Sequence, residues 1–412
     1  RPRLPVAVLG AATVVAATVM AATVVAAAPG FAGPAQAAGP APAVGGVLVV
    51  ATDGDDAGLG TPADPLATIQ HAVDLAQPGT VIVVRGGTYR LTTNIQIMKS
   101  GTADAPITLT AARGAHVVID GEDLPNTPAP VGGSIPRTER GAVHMEAAWW
   151  RITGLEIVNG PYALYCNACN DNVFERLVVH DNYETGLQIQ GASANNLVLN
   201  LDSYANRDPR KNGESADGLG IKEGSGTGNV VRGARLWNNV DDGFDAWKFL
   251  SPILIEDSVA WGNGVNRWDF PDFAGDGNGF KLGGGVPDQL VAHTVRNSIA
   301  FDNAADGFTD NGNPGPMLVD HATAFRNGAT GFDFDSSTST LTANLAVGNA
   351  TAVALGQSTG VGNSWDLGGV WDEAALVSTD PTSITGPRTR TGLIRHSPFL
   401  RPGSCVDVGA RI

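Results

Sequence analysis

Three aspartates fall within five positions of the stretch NNVDDGFDAWK: Asp241, Asp242 and Asp245. No basic residue lies inside the cluster, so these carboxylates repel one another unless water or a cation intervenes. Carboxylate oxygens are hard ligands of the kind Ca²⁺ takes, roughly six to eight at a time and in irregular geometry. Zinc would call for His or Cys, and the stretch has neither. Two readings stand at this point: a solvated turn, because Asp and Gly suit turn conformations, or a cation nest. What the fold stacks beside these residues decides between them.

The chain that must position them has 412 residues, 53 of them Gly, with 16% charged, 6% aromatic and a formal net charge of −15. That balance argues against nucleic acid as a partner, since phosphate binding needs clustered Lys and Arg. A polyanionic partner would not be drawn in by net charge and would need a bridging cation. Residues 1–37 read as an export signal: Arg1 and Arg3 precede a long apolar run, and Ala35-Gln36-Ala37 offers a small-residue cleavage site. The run from Val6 to Ala28 is also long enough for an uncleaved anchor. An Ala/Pro/Gly linker is expected over 38–47. With the signal removed, the expectation is a secreted, extracellular monomer with no stable membrane association. Cys166 and Cys169 form a CxxC and Cys405 stands far away, a pattern read as buried or structural thiols, with a 166–169 bridge left open as the alternative.

From about residue 147 the sequence repeats. LVVHDNYETGL, RLWNNVDDGF, IAFDNAADGF and TAFRNGATGF align, and an Asn recurs at 159, 182, 206, 239, 263, 303, 327 and 349. The steps are 23, 24, 33, 24, 40, 24 and 22 residues, and a large apolar residue follows most of these asparagines: Leu164, Leu187, Phe244, Phe308 and Phe332. Short β-rich runs lie between, separated by Gly and Asn turns. A period in the low twenties with three short strands per repeat predicts an all-β parallel β-helix, each coil burying its apolar side against the next. Stacked asparagines would bond one another across an interior bend. Upstream, DPLATIQHAVDLAQPG places Leu66, Ile69, Ala72, Val73 and Ala76 on one helical face and stops at Pro78-Gly79, as expected of a helix capping the open end. Beyond about residue 360 the repeat fades into a segment expected to pack outside. One ordered domain is predicted over 48–412.

Two steps, 33 and 40, are too long, and both insertions follow the Asn: RDPRKNGESA and GVNRWDFPDFAGDG. Extra length on nearby coils would wall a groove. Stacking SADGLGIKE, VDDGFDAWK, DGNGFKLGG and AADGFTDNG on their Gly and apolar residues puts Asp217, Asp242, Asn278 and Asp306 in one column. Gly220, Asp245, Lys281 and Thr309 then share the next outward-facing one. Asp217, Asp241, Asp242 and Asp245 converge on one surface with Lys281 one coil further on, which favours the cation reading and points to Ca²⁺.

The stretch ADGLGIKEGSGTGNVVRGARLWNNVDDGFDAWKF, followed by GDGNGFKLGG, resembles the calcium-dependent pectate lyases of polysaccharide lyase family 9. The resemblance covers most of residues 48–370. It implies a right-handed parallel β-helix with an interior Asn ladder, calcium held by Asp217, Asp241, Asp242 and Asp245, and Lys281 as general base. It also implies an acidic polysaccharide, polygalacturonate, as substrate, cleaved by β-elimination with an alkaline activity optimum. Arg210, Lys211, Lys222, Lys248 and Arg267 are candidates to hold other uronate carboxylates. Trp268, with Trp261, Phe270 and Phe273, could meet sugar faces. Three alternatives remain open: a lyase for another uronic-acid polymer, a glycoside hydrolase, which needs carboxylates at acid/base separation, and a non-catalytic calcium-bearing solenoid that would not need Lys281.

Overall fold

Strands of two to seven residues, too short to bury an apolar face alone, find their partners in the coils before and after them. A computed structural model describes residues 45–412; the expected signal (1–37) and most of the 38–47 linker lie outside the described residues. Three sheets of twelve, ten and ten strands run side by side, and each strand pairs in parallel with its counterpart one coil on. The chain is therefore a parallel β-helix, as expected.

The inward ladder has the predicted register. Leu164 faces Leu187, Leu187 faces Leu219, and the series continues through Phe244, Phe280, Phe308 and Phe332. Every one of these side chains is fully buried, and the Phe280, Phe308 and Phe332 rings stack at 4.9 and 5.1 Å. Because strand side chains alternate in and out, fixing this ladder fixes its outward neighbours as well. The outward series runs Tyr165, Gln188, Gly220, Asp245, Lys281, Thr309.

The asparagine ladder forms at the bend before this sheet. Asn182 Nδ2 donates to Asn206 Oδ1 at 2.9 Å, and equivalent bonds link Asn206, Asn239, Asn263, Asn303, Asn327 and Asn349. Asn159 is a correction. It lies one position off register, at φ 56°, and bonds Asp120, while Gly160 occupies the rung and donates its N–H to Asn182 Oδ1. A second ladder, Asn172–Asn196–Asn229, stands at another bend.

The capping helix spans Ile69–Leu75, with Thr68 Oγ1 accepting the His71 N–H at its start. Its face of Leu66, Ile69, Ala72, Val73 and Ala76 is buried in the main core. At the other end, residues beyond 375 pack outside: Ile384, Phe399, Leu400 and Val408 cover Val259, Ile299, Phe325 and Leu345. Arg235 and Arg388 clamp Asp202 beneath this segment. Cys166 and Cys169 are joined as a disulfide, which corrects the thiol reading: their strand-to-turn positions bring the Cα atoms to 5.8 Å. Cys405 is free and exposed. Among the described residues no helix is long and apolar enough to cross a membrane.

Candidate active site

The two insertions build a wall together. Ala274 of the second donates its N–H to Asn212 O of the first at 3.0 Å. A third loop, 121–141, joins them: Gly132 N donates to Arg210 O at 2.8 Å, and Arg210 Nη1 donates to Gly133 O. Arg210 is anchored by Glu184, whose carboxylate is fully buried and pushed up to about 8 by burial and by the nearby Asp208 charge. Loop 121–141 lies upstream of the aligned repeats, which begin at about residue 147, so alignment of coils had no means of assigning it to the wall.

At the foot of this wall the aspartates meet. One carboxylate oxygen each from Asp217, Asp242 and Asp245 lies within 4.8 Å of the others, and a second, overlapping group joins Asp241 and Asp242 to Asp276. The four predicted aspartates thus form one patch, with Asp242 common to both groups. Asp276, in the second insertion, was not foreseen; only its place at the end of GVNRWDFPDFAGDG marked it.

The charges are held in a particular way. Lys222 Nζ reaches Asp217 Oδ2 at 2.5 Å and Asp245 Oδ2 at 3.0 Å. Lys281 Nζ lies 3.1 Å from Asp242 Oδ2 and 2.6 Å from Asp276 Oδ2. Asp242 Oδ1 accepts the N–H and the side-chain amide of Asn278 at 2.7 and 2.9 Å, and Asp245 Oδ1 accepts the Trp247 N–H. Two buried oxygens remain without a hydrogen-bond partner, Asp217 Oδ1 and Asp242 Oδ2. The Lys281 approach to Asp242 Oδ2 is close enough for charge attraction but not aligned as a hydrogen bond.

Burial raises Asp217 and Asp241, and it pushes Asp242 up to about 7 even against the pull of Lys281. For Lys281, burial works downward, but the carboxylates of Asp242, Asp245, Asp241 and Asp276 outweigh it and hold the ammonium well above the ordinary lysine range. Lys222 is held high in the same way by Asp217 and Asp245. A buried, oxygen-only donor set with two orphaned oxygens fits a hard divalent cation. No His or Cys contributes, so it does not fit zinc.

Of the predicted carboxylate-holding residues, Arg210, Lys211 and Lys222 line the groove, together with Arg140, Gln188, Trp247 and Asp276. Lys248 and Arg267 do not line it, nor does the aromatic candidate Trp268, for physical reasons. Lys248, at φ 55°, folds back so that its Nζ sits 3.8 Å from the Trp247 ring centroid. Arg267 turns outward to Asn238 at 2.9 Å, and Trp268 stacks on Phe270. Trp247, one residue before Lys248, and Tyr162 are the aromatic residues that line the groove among the described residues.

Comparison with known proteins gives a consistent result. The sequence profile described as "Pel9A-like, right handed beta helix region" matches residues 48–349. A protein of Emericella nidulans named pectate lyase PEL9 is 49% identical over 384 residues, covering 88% of this chain and 94% of that one. Pectate lyase L of Dickeya chrysanthemi is 35% identical over 291 residues, covering 68% and 65%. The crystal structure of pectate lyase Pel9A superposes with a TM-score of 0.77 at 31% identity, covering 88% of this chain and 90% of that chain.

Proposed function

We propose, because this chain belongs to the Pel9A-like right-handed β-helix family, that it cleaves de-esterified polygalacturonate by calcium-assisted β-elimination with Lys281 as the base. It is a polysaccharide lyase of the pectate lyase type. The observation that carries the finer reading is the buried carboxylate cluster, in which Asp217 Oδ1 has no hydrogen-bond partner and Asp242 Oδ2 is met only by the charge of Lys281 at 3.1 Å. A purely structural acidic turn would have satisfied them.

Asp217, Asp241, Asp242 and Asp245 would hold the calcium, and its bound charge would neutralise a uronate carboxylate and make the adjacent C5 proton more acidic. The remaining steps belong to the chain. Lys281, on the strand next to Asp245, points into the groove and is positioned to take the C5 proton as a neutral amine. The electron pair left on C5 forms the C4–C5 double bond, the C4–O4 bond breaks, and the departing oxygen is protonated from solvent. With the carboxylate charges compensated, the pull that keeps Lys281 protonated weakens, and its burial then favours the neutral form. Alkaline conditions would favour the reaction. We further propose that the enzyme acts outside the cell as a monomer, in keeping with the export-type segment at 1–37.

Ultraviolet absorbance of unsaturated uronate tests this reading. Polygalacturonate, with calcium or with chelator, should give a calcium-dependent rise, and Lys281→Ala should lower it at least about a thousandfold. New reducing ends without absorbance would make the protein a hydrolase and sink the proposal.

A further inference from the structure

The groove's cations are nearly all spoken for. Arg210 pairs with Glu184, Lys211 with Glu214, Lys222 with Asp217 and Asp245, and Lys281 with Asp242 and Asp276. Arg140 is the exception. It lines the same groove, half-buried, and no carboxylate lies within ion-pair distance of it among the described residues. The Glu184 carboxylate, whose charge is felt at Arg140, is already taken by Arg210.

Arg140 is nevertheless held in place. Its Nε donates to Ile135 O at 3.3 Å and its Nη1 to the Tyr165 hydroxyl at 3.2 Å, with the guanidinium carbon 5.4 Å from the Tyr165 ring centroid. Tyr165 is fixed in turn: it is buried, its hydroxyl donates to Gln190 Oε1 at 2.8 Å, and Gln188 donates to the same oxygen at 2.7 Å. Among the described residues this leaves Nη2 without a protein partner, on a side chain whose direction is set by its neighbours. A guanidinium held at Nε and Nη1, with the Nη2 that neighbours both left to donate, is suited to receive a carboxylate oxygen.

Register places this group relative to the aspartates. Tyr165 faces Gln188, Gln188 faces Gly220, and Gly220 faces Asp245. Three strand spacings separate them, about 14 Å along the axis. A pyranose unit in an extended chain is similar in length to one strand spacing. From this geometry we infer that Arg140 forms a distal subsite that binds the carboxylate of a uronate about three sugar units from the one at the aspartates. The inference rests on the lyase reading above and adds to it a residue that selects for chain length and for free rather than esterified acid.

The test compares Arg140→Ala, Arg140→Gln and Arg140→Lys with the unaltered protein on trigalacturonate and hexagalacturonate. A trimer is too short to span both positions. On the hexamer, the Ala and Gln variants should raise KM on the order of tenfold, with kcat within about twofold, and Lys should restore part of the loss. On the trimer all four proteins should agree. Melting curves monitor folding, and calorimetric binding of hexagalacturonate in a Lys281→Ala background reads the contact without turnover. Arg140→Ala should weaken that binding by a similar factor. Equal losses on trimer and hexamer, or a fall in kcat alone, would show that Arg140 only props its loop and overturn the subsite. An unchanged hexamer KM and binding constant would overturn it as well. If the unaltered protein yields no unsaturated product, the lyase reading fails, whereas the binding comparison still judges Arg140.

Discussion

Two columns of side chains run through the same coils a few residues apart and follow opposite chemistry. In the ladder Asn206–Asn239–Asn263–Asn303 every amide gives a hydrogen to the next rung and accepts one from the last. Stacking such groups satisfies them, because an amide is both donor and acceptor. In the column Asp217–Asp242–Asn278 the first two members only accept, so stacking leaves Asp217 Oδ1 and Asp242 Oδ2 orphaned and draws in Lys222 and Lys281. The column satisfies itself only from Asn278 onward, where an amide bonds Asp242 below it and accepts the Asp306 N–H above. A stacked amide holds the fold together. A stacked carboxylate holds a charge that something else must meet.

Exchanging the two chemistries is the most severe way to break this contrast. Asn239→Asp would put an acceptor-only, buried charge opposite Asn263 Oδ1, and we expect a loss of about 3–5 kcal/mol of stability in denaturant titration. Loss of less than about 1 kcal/mol would show that the ladder tolerates charge and that the contrast is superficial. The reverse exchange, Asp242→Asn, should lower lyase activity about a hundredfold. At pH 8 it should also raise the melting temperature of the chelated protein, since Asp242, pushed up to about 7, is ionised there at a cost to folding. A fall in that melting temperature would mean the carboxylate is structural.

The smallest effect sharpens the contrast within a ladder. His293 stands in for an amide at an inner bend, accepting the Ile253 N–H on Nδ1, and burial lowers it to about 4. Its pKa is depressed on folding, so the unfolded chain binds more protons between the two values. The stability it supports is complete above about pH 6.5 and falls as pH drops toward 4. We expect a loss of about 2 kcal/mol at pH 5 that His293→Asn removes. An identical pH dependence in the variant would refute this assignment.

Much of the site could be read from residue order. The pairing of Asp245 with Lys281, and the ladder through Leu219, Phe244 and Phe280, follow from aligning glycine and apolar residues, and the structure has the same register. Asn159 shows how narrow that method is: counting asparagines took a neighbour for the rung, because Gly160 contributes only its backbone N–H there. The second ladder, Asn172–Asn196–Asn229, is harder to read from residue order because it lasts only three coils before Ile253 takes the next place. Lys248, Arg267 and Trp268 were assigned to the groove by proximity in sequence, yet turn conformation directs each of them elsewhere.

What the sequence determined by itself was whatever repeats. A parallel coil adds one strand spacing per turn and alternates its side chains, so register is additive and a single alignment places every rung. That was enough for the β-helix, the amide ladder and the convergence of four aspartates beside Lys281, and helical periodicity upstream gave the capping helix. The tertiary structure alone decided what does not repeat: Lys222 inserted between Asp217 and Asp245, Asp276 brought to Lys281, the Cys166–Cys169 bond, and Arg140 left without a carboxylate. Each depends on the path of a loop or the reach of a long side chain, and those are set by packing against distant segments.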